Sequence, residues 1–298
     1  MSASPLFRGC AVALATPFRD GAVDFDTLDQ LIDRQLAGGT KAIVACGTTG
    51  EPATMTAQER LAVIRRVVRR VDGRIPVIAG TGANCTQSVI DAARAYQDEG
   101  VQAQLVVTPY YNKTTQEGMY QHFLAIAENT QLPIIIYNVP SRTGLDISPE
   151  VLGRLAGYEN FIGIKESSYD IPLVLDKLRH AGGRLTFYCG NDELSVPELN
   201  LGFEGVISVL SNLMPDSMSD MVDRCLRGER ERALDAELRL LPLMKALFYE
   251  VSPIPLKAAM EMMKLSTGEL RLPLVPISDG NRARLRDALI AVGVQLED

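Results

Sequence analysis

Residues 42–71 read AIVACGTTGEPATMTAQERLAVIRRVVRRV. Five apolar residues come first, then a turn rich in glycine and threonine, then a segment with apolar side chains at helical spacing. A run that is apolar throughout is typical of a parallel strand that is buried on both faces. Thr56 and Glu59 have the spacing of a capping box, which marks the start of a helix. The stretch therefore predicts one strand–loop–helix unit.

The same alternation recurs along the chain. Strand-like apolar runs occur at 10–16, 42–46, 76–79, 103–108, 133–137, 161–165, 185–189 and 205–209, with helical patterns between them. About eight such units match the size of a (β/α)8 TIM barrel, an α/β fold. A doubly wound sheet is the alternative, but the first run ends in Ala15-Thr16-Pro17-Phe18 and not in the glycine-rich phosphate turn of that fold.

The chain changes character at Glu229. Three helical stretches follow, at about 229–250, 254–266 and 278–292, with no strand-like run between them. We therefore predict a barrel that carries the active site over residues 1–228, and a C-terminal helical appendage over residues 229–298.

Composition excludes several classes of function. The 298 residues carry a net charge of −7, which argues against a nucleic-acid partner. No apolar stretch approaches the roughly 20 residues of a membrane span, and the first ten residues lack the apolar core of a signal peptide. The five cysteines are scattered and show no CxxC spacing, which argues against a disulfide framework or a zinc site. We expect a cytoplasmic protein.

Lys165 is the first candidate for chemistry, because catalytic groups of a TIM barrel lie at the carboxyl ends of its strands. It directly follows the apolar residues 161–164. A buried ammonium is costly unless it is paired, and the neutral amine is the form that attacks a ketone. The alternative is an ion pair with Glu166, although neighbours on a strand point to opposite faces. The lysine alone leaves both interpretations open.

Other strand ends carry polar groups. Tyr137 ends an apolar run, and its phenol can transfer protons if it is hydrogen-bonded to another hydroxyl, for which Thr48 and Tyr111 are candidates. The backbone N–H groups of the turn 47–50 can hold a carboxylate, and the planar guanidinium of Arg142 suits one too. Taken singly, Tyr137 is more typical of a core or rim position and Arg142 of a surface position, and the turn is a weak motif.

The sequence offers few residues or motifs that could bind a cofactor or a metal. Histidine occurs only at His122 and His180, both in helical surroundings. Neither GxGxxG nor GxxxxGK[ST] occurs, and the acidic residues show no metal-ligand spacing. A mechanism that depends on the lysine, without cofactor or metal, is what remains.

Five segments together resemble the dihydrodipicolinate synthase family, which belongs to the pyruvate-dependent class I aldolases and lyases typified by N-acetylneuraminate lyase. They are GTTGE at 47–51, TPYYN at 108–112, YNVPSRTG at 137–144, GIKE at 163–166 and PIPLK at 253–257. The resemblance runs over essentially the whole chain, in the same order and at matching intervals.

The resemblance implies a reaction and its catalytic residues. Lys165 would form a Schiff base with pyruvate, and the enamine would attack aspartate semialdehyde in the first step of the diaminopimelate route to lysine. Tyr137, Thr48 and Tyr111 would form a proton relay, with Tyr111 reaching in from a neighbouring subunit. Such enzymes are cytoplasmic homotetramers, dimers of dimers, that need no metal.

The resemblance also assigns substrate-binding residues. Thr48 and Thr49 would hold the pyruvate carboxylate, helped by the strand ends at Gly190 and Ile207. Arg142 would bind the carboxylate of aspartate semialdehyde. Two segments depart from the family pattern, at 167–169 and 190–192, and they bear on the preferred aldehyde. An aldolase acting on a sugar acid, and a non-catalytic sensor of pyruvate-like ligands, remain the alternatives.

Regulation by lysine is a further implication of the resemblance. In feedback-regulated relatives lysine binds between two subunits, at positions that correspond here to Pro52, Ala53, Ala57, Arg60, Asn84, Ser88 and Tyr110. Sensitive relatives have an acidic side chain in place of Ser88 and imidazoles in place of Ala57 and Arg60. We therefore expect weak inhibition by lysine or none.

Overall fold

The computed structural model describes residues 4–296. Its strands are β1 (Gly9–Ala13), β2 (Phe18–Arg19), β3 (Ala22–Val23), β4 (Ala42–Ala45), β5 (Val77–Gly80), β6 (Ala103–Val107), β7 (Ile134–Asn138), β8 (Phe161–Glu166), β9 (Thr186–Cys189) and β10 (Gly205–Ser208). Eight of them close into a barrel in the order β1-β10-β9-β8-β7-β6-β5-β4, and every pairing in it is parallel. The predicted TIM barrel is confirmed. Strands β2 and β3 form a separate antiparallel pair.

Helices surround the barrel. They are α1 (Phe25–Ala37), α2 (Ala57–Val71), α3 (Thr86–Gln97), α4 (Gln116–Asn129), α5 (Pro140–Thr143), α6 (Pro149–Leu155), α7 (Ile171–Ala181), α8 (Ser195–Asn200), α9 (Pro215–Leu226), α10 (Arg230–Ala246), α11 (Ile254–Met262) and α12 (Asp279–Ala291). The predicted capping box at the start of α2 is present, with Thr56 and Glu59 each bonding the backbone of the other. No helix within residues 4–296 is long and apolar enough to cross a membrane.

Two apolar cores follow from the alternation of side chains along the strands. On β1, for example, Ala11 and Ala13 face the barrel interior, whereas Cys10 and Val12 pack beneath the helices. Phe7 and Tyr188 fill part of the interior, with stacked rings whose centroids are 4.3 Å apart. The small residues on β1 leave volume inside the barrel for such large side chains.

The first apolar run was predicted to extend over 10–16, but β1 ends at Ala13. Leu14 still donates its N–H to Val44, and the N–H of Ala15 is bonded instead to the side chain of Asn212. The residues beyond Ala13 stay buried because the loop after β10 covers them, so burial alone did not mark the end of the strand.

The segment that follows Glu229 contains three helices, α10 to α12, each slightly shorter than its predicted stretch. Two cations of this segment contact the mouth of the barrel, and both lie over the ring of Phe18. Lys257 on α11 forms a buried ion pair with Glu51, and Arg271 donates two hydrogen bonds to the carboxylate of Glu59. The division of the chain at residue 228 stays a prediction.

These two ion pairs differ in their surroundings. Arg271 lowers the pKa of Glu59 to about 2 through hydrogen bonds at a partly exposed site. Burial lowers the pKa of Lys257, and the nearby carboxylate of Glu51 opposes that shift. The Glu51 pair is therefore the one whose loss leaves an uncompensated charge in the interior.

Lys257→Met should destabilise the fold by about 3–5 kcal/mol, because it leaves the Glu51 carboxylate buried without a partner. Glu51→Gln combined with Lys257→Met should recover most of that loss. The free energy of unfolding in urea measures both, with Lys245→Met, at an exposed lysine of α10, as the control. If Lys257→Met alone is as stable as Lys245→Met, the expectation is contradicted.

Candidate active site

Lys165 and Tyr137 lie side by side at the carboxyl ends of β8 and β7, where they are partners in the parallel register. Both side chains are buried, and the Lys165 Nζ atom lies 4.5 Å from the centroid of the Tyr137 ring. The structure therefore brings together the two strand-end residues that the sequence singled out.

Glu166 does not pair with Lys165. It points to the outer face of the barrel, where its carboxylate accepts a hydrogen bond of 2.9 Å from Lys177 of α7. Within residues 4–296 no carboxylate forms an ion pair with Lys165. The alternative interpretation of Lys165, as half of a structural ion pair with its neighbour, is wrong because alternation along β8 separates the two side chains.

Gly190 leaves room for the lysine. It follows β9, and a Cβ atom there would lie 2.9 Å from the Cε atom of Lys165 and 2.0 Å from the Oγ atom of Ser167. A Cβ atom would also lie 2.8 Å from the backbone carbonyl oxygen of Glu166, so any larger residue would displace both side chains and the backbone. Ile207 is fully buried on the adjacent strand β10 and contributes to the apolar lining of the barrel.

The turn after β4 presents free backbone donors. Residues Thr48–Gly50 form one turn of 3₁₀ helix, whose hydrogen bonds use the N–H groups of Gly50 and Glu51. The N–H groups of Thr48 and Thr49 take no part in those bonds. Unpaired N–H groups at the start of a helical turn attract anions.

Tyr111 lies apart from the other candidates. Its side chain is 90% exposed, and its backbone has a φ of 67°, in the left-handed region. In the described part of the chain, no hydrogen bond joins the hydroxyls of Tyr137, Thr48 and Tyr111. A single subunit therefore does not assemble the three-residue relay that the resemblance implied.

Arg142 lies at the rim of the barrel, on the short helix α5. It donates a hydrogen bond of 2.9 Å from Nη2 to the backbone carbonyl of Ser252, which precedes α11. The side chain is exposed, and no carboxylate of residues 4–296 pairs with it. A guanidinium carries five N–H donors, so the bond to Ser252 leaves most of its donor capacity for another partner.

Comparison with known proteins shows the family of the chain. The model of the dihydrodipicolinate synthetase family matches residues 6–292. The chain belongs to this family. The 4-hydroxy-tetrahydrodipicolinate synthase of Caldicellulosiruptor bescii is 48% identical over 294 residues, which cover 98% of this chain and 99% of that protein.

Solved structures of dihydrodipicolinate synthases have the same fold. The Aquifex aeolicus structure is 41% identical, with a TM-score of 0.95, over 98% of this chain and 100% of that one. The structure of the chloride-inhibited enzyme from Acinetobacter baumannii, complexed with pyruvate, is 42% identical, with a TM-score of 0.94, over 97% of this chain and 99% of that one.

Sequence reasoning missed one charged residue of this family member. Asp192 is buried two residues after Gly190, and its carboxylate accepts hydrogen bonds from the N–H groups of Val209 and Leu210. Burial raises the pKa of Asp192, while these N–H groups and the charge of Lys165 oppose the shift. Nothing in the local sequence distinguishes this aspartate from an exposed loop residue, because its burial comes from packing between β9 and β10.

No group of three or more histidine, cysteine, aspartate or glutamate side chains in residues 4–296 is arranged to hold a metal ion. The groups near Lys165 are instead the phenol of Tyr137, the hydroxyl of Ser167 and the carboxylate of Asp192. Phenol and hydroxyl groups can transfer protons.

Proposed function

We propose that this protein is a 4-hydroxy-tetrahydrodipicolinate synthase, which condenses pyruvate with L-aspartate 4-semialdehyde through a Schiff base on Lys165. The observation that carries the proposal is a buried lysine that pairs with no carboxylate of residues 4–296, beside Tyr137 at the mouth of a TIM barrel. Full-length similarity to enzymes of that name supports the choice of reaction.

The first half of the reaction takes place at Lys165. Its neutral amine attacks the carbonyl carbon of pyruvate, and loss of water gives the Schiff base. Removal of a proton from the methyl carbon gives an enamine. The enamine carbon then attacks the aldehyde carbon of the second substrate, whose oxygen takes up a proton. Cyclisation through the substrate amino group releases Lys165.

Proton transfer in this scheme is assigned to Tyr137, Thr48 and Tyr111. The exposure of Tyr111 supports a place for it in the site of a neighbouring subunit, where its hydroxyl can reach the other two. We therefore propose that the active enzyme is an oligomer, a homotetramer built as a dimer of dimers. A cytoplasmic location, with no nucleic-acid or membrane partner, completes the proposal.

Carboxylate binding is assigned to two ends of the site. The free N–H groups of Thr48 and Thr49 hold the pyruvate carboxylate, with the strand ends at Gly190 and Ile207 closing that end. Arg142 binds the carboxylate of aspartate semialdehyde with the donors that Ser252 leaves free. A sugar-acid aldolase or a sensor has no need of this combination of arginine and proton relay.

Borohydride added together with pyruvate should trap an adduct on Lys165. Mass spectrometry of the digested protein locates the adduct. Lys177, which is buried in an ion pair, serves as an internal control and should stay unmodified. An adduct elsewhere, or none, would favour the sensor.

Arg142→Leu should lower kcat/KM for aspartate semialdehyde by a factor that corresponds to about 2–5 kcal/mol, because the substrate carboxylate loses its charged partner. Trapping of pyruvate on Lys165 should be unchanged, which controls for folding. Condensation at the parental rate would refute the assignment of Arg142 and favour an aldolase with a sugar-acid substrate.

Lysine should inhibit weakly or not at all. An ammonium taken from water needs a compensating anion, whereas Ser88 offers one neutral hydroxyl and Arg60 adds a like charge. The carboxylates of Glu51 and Glu59 do not compensate, because Glu51 is paired with Lys257 and Glu59 with Arg271. Initial rates over a lysine titration test this expectation. Strong inhibition at lysine concentrations below about 1 mM would contradict it.

A further inference from the structure

A buried polar cluster lies on the outer face of the barrel, directly behind Lys165 and Tyr137. It consists of Asn138, Asp146, Glu166 and Lys177, and we name it the Glu166 cluster. Lys177 hydrogen-bonds both carboxylates, at Asp146 and at Glu166. The side chains of Glu166 and Lys177 are wholly buried between the sheet and α7.

One oxygen of Glu166 joins the two strand ends. Its Oε1 atom accepts a hydrogen bond of 2.6 Å from Nδ2 of Asn138 and one of 2.8 Å from the N–H of Ser168. The second oxygen, Oε2, accepts from Lys177. The carboxylate therefore connects β7, β8 and the residues that follow β8 through separate bonds.

Asn138 extends the connection to the segment that carries Arg142. Its Nδ2 also bonds Asp146, and its Oδ1 accepts from the N–H of Ile147. Both of these partners lie a few residues beyond α5. The cluster thus fixes three parts of the site from behind: β7, β8 and the loop after α5.

Each strand residue of the cluster directly follows a candidate catalytic residue. Tyr137 is paired with Lys165 in the register, and Asn138 is paired with Glu166. Neighbouring residues on a strand share a peptide plane, so a shift of Glu166 or Asn138 moves the side chain before it. The outward bonds therefore set the positions of the two inward side chains.

We infer that Glu166 and Asn138 are positioning residues, which hold the amine of Lys165 and the phenol of Tyr137 in register for reaction. The inference rests on the proposed function, because it concerns the groups assigned to that chemistry. A misplacement of about 1 Å at a reacting group can lower the rate on the order of 100-fold.

Apolar residues at these positions would be sufficient if the cluster served only to stabilise the fold. Replacing a buried ion pair by apolar groups of similar volume is often neutral or stabilising. What the Oε1 atom of Glu166 adds is direction, because its bonds to Asn138 and Ser168 have fixed partners.

Two double variants separate the bonds from the charges. Glu166→Gln with Lys177→Met removes both charges but keeps a carbonyl oxygen for Asn138 and Ser168. Glu166→Ala with Lys177→Met removes the charges and the oxygen. We expect the first to keep kcat within about threefold of the parent, and the second to lose at least about tenfold at a temperature where it is fully folded.

The control is a variant that destabilises the opposite side of the barrel. Met218 is buried on α9, which packs against β1, four strands away from β7 around the barrel. Met218→Ala should lower Tm to a similar extent and leave kcat unchanged. If its kcat falls as far as that of the Glu166→Ala double variant, the effect is general destabilisation and the inference is overturned.

A substrate-free readout keeps the inference separate from the proposed function. Reductive methylation of Lys165 with formaldehyde and cyanoborohydride, followed by peptide mass analysis, reports the accessibility and reactivity of the amine. Its rate should change at least about threefold in the Glu166→Ala double variant, remain at the parental value in the Glu166→Gln double variant, and stay constant at the exposed Lys245 in both.

Failure of the proposed function and failure of the positioning role give different experimental results. If the parent forms no pyruvate adduct, the proposed function is wrong, and the methylation rates still decide whether the cluster positions Lys165. If the parent forms the adduct but the Glu166→Ala double variant keeps parental kcat and parental methylation, the positioning role is wrong.

Discussion

The alternation of side chains along β8 is the constraint on which the rest of the site depends. Lys165 and Glu166 are adjacent in sequence, yet one faces the barrel interior and the other the helices. Glu166 finds its counter-ion in Lys177, behind the sheet, and so does not pair with Lys165. A lysine outside any ion pair with its neighbour is what the proposed Schiff base requires.

The closed barrel turns this local arrangement into a site. Parallel strands all end at the same edge, so residues that lie far apart in sequence surround Lys165 at one mouth. Small residues are needed where strand ends crowd together, and Gly190 is the clearest case, since a Cβ atom there would meet both Ser167 and Lys165. Crowding by backbone and side chains, and not flexibility, explains this glycine.

The C-terminal helices contribute to the mouth of the barrel as well as to its stability. The carbonyl of Ser252 holds Arg142, and Lys257 pairs with Glu51 directly after the turn that presents the N–H groups of Thr48 and Thr49. Part of the family motif at 253–257 is therefore structural, because its lysine compensates a glutamate of the motif at 47–51. Two sequence motifs that lie 200 residues apart form one buried ion pair.

The sequence by itself determined the barrel, because eight apolar runs alternating with amphipathic helices leave few other ways to bury both faces of each strand. It also indicated Lys165 and Tyr137 as candidates, since both end apolar runs where a TIM barrel places its chemistry. Only the tertiary structure decided which partners the ionisable groups take. Glu166 pairs with Lys177, Glu51 with Lys257, and Asp192 lies buried against the end of β10. Partners of this kind depend on which surfaces meet across the sheet and at its mouth, and a periodic pattern in one segment carries no information about a side chain supplied by another.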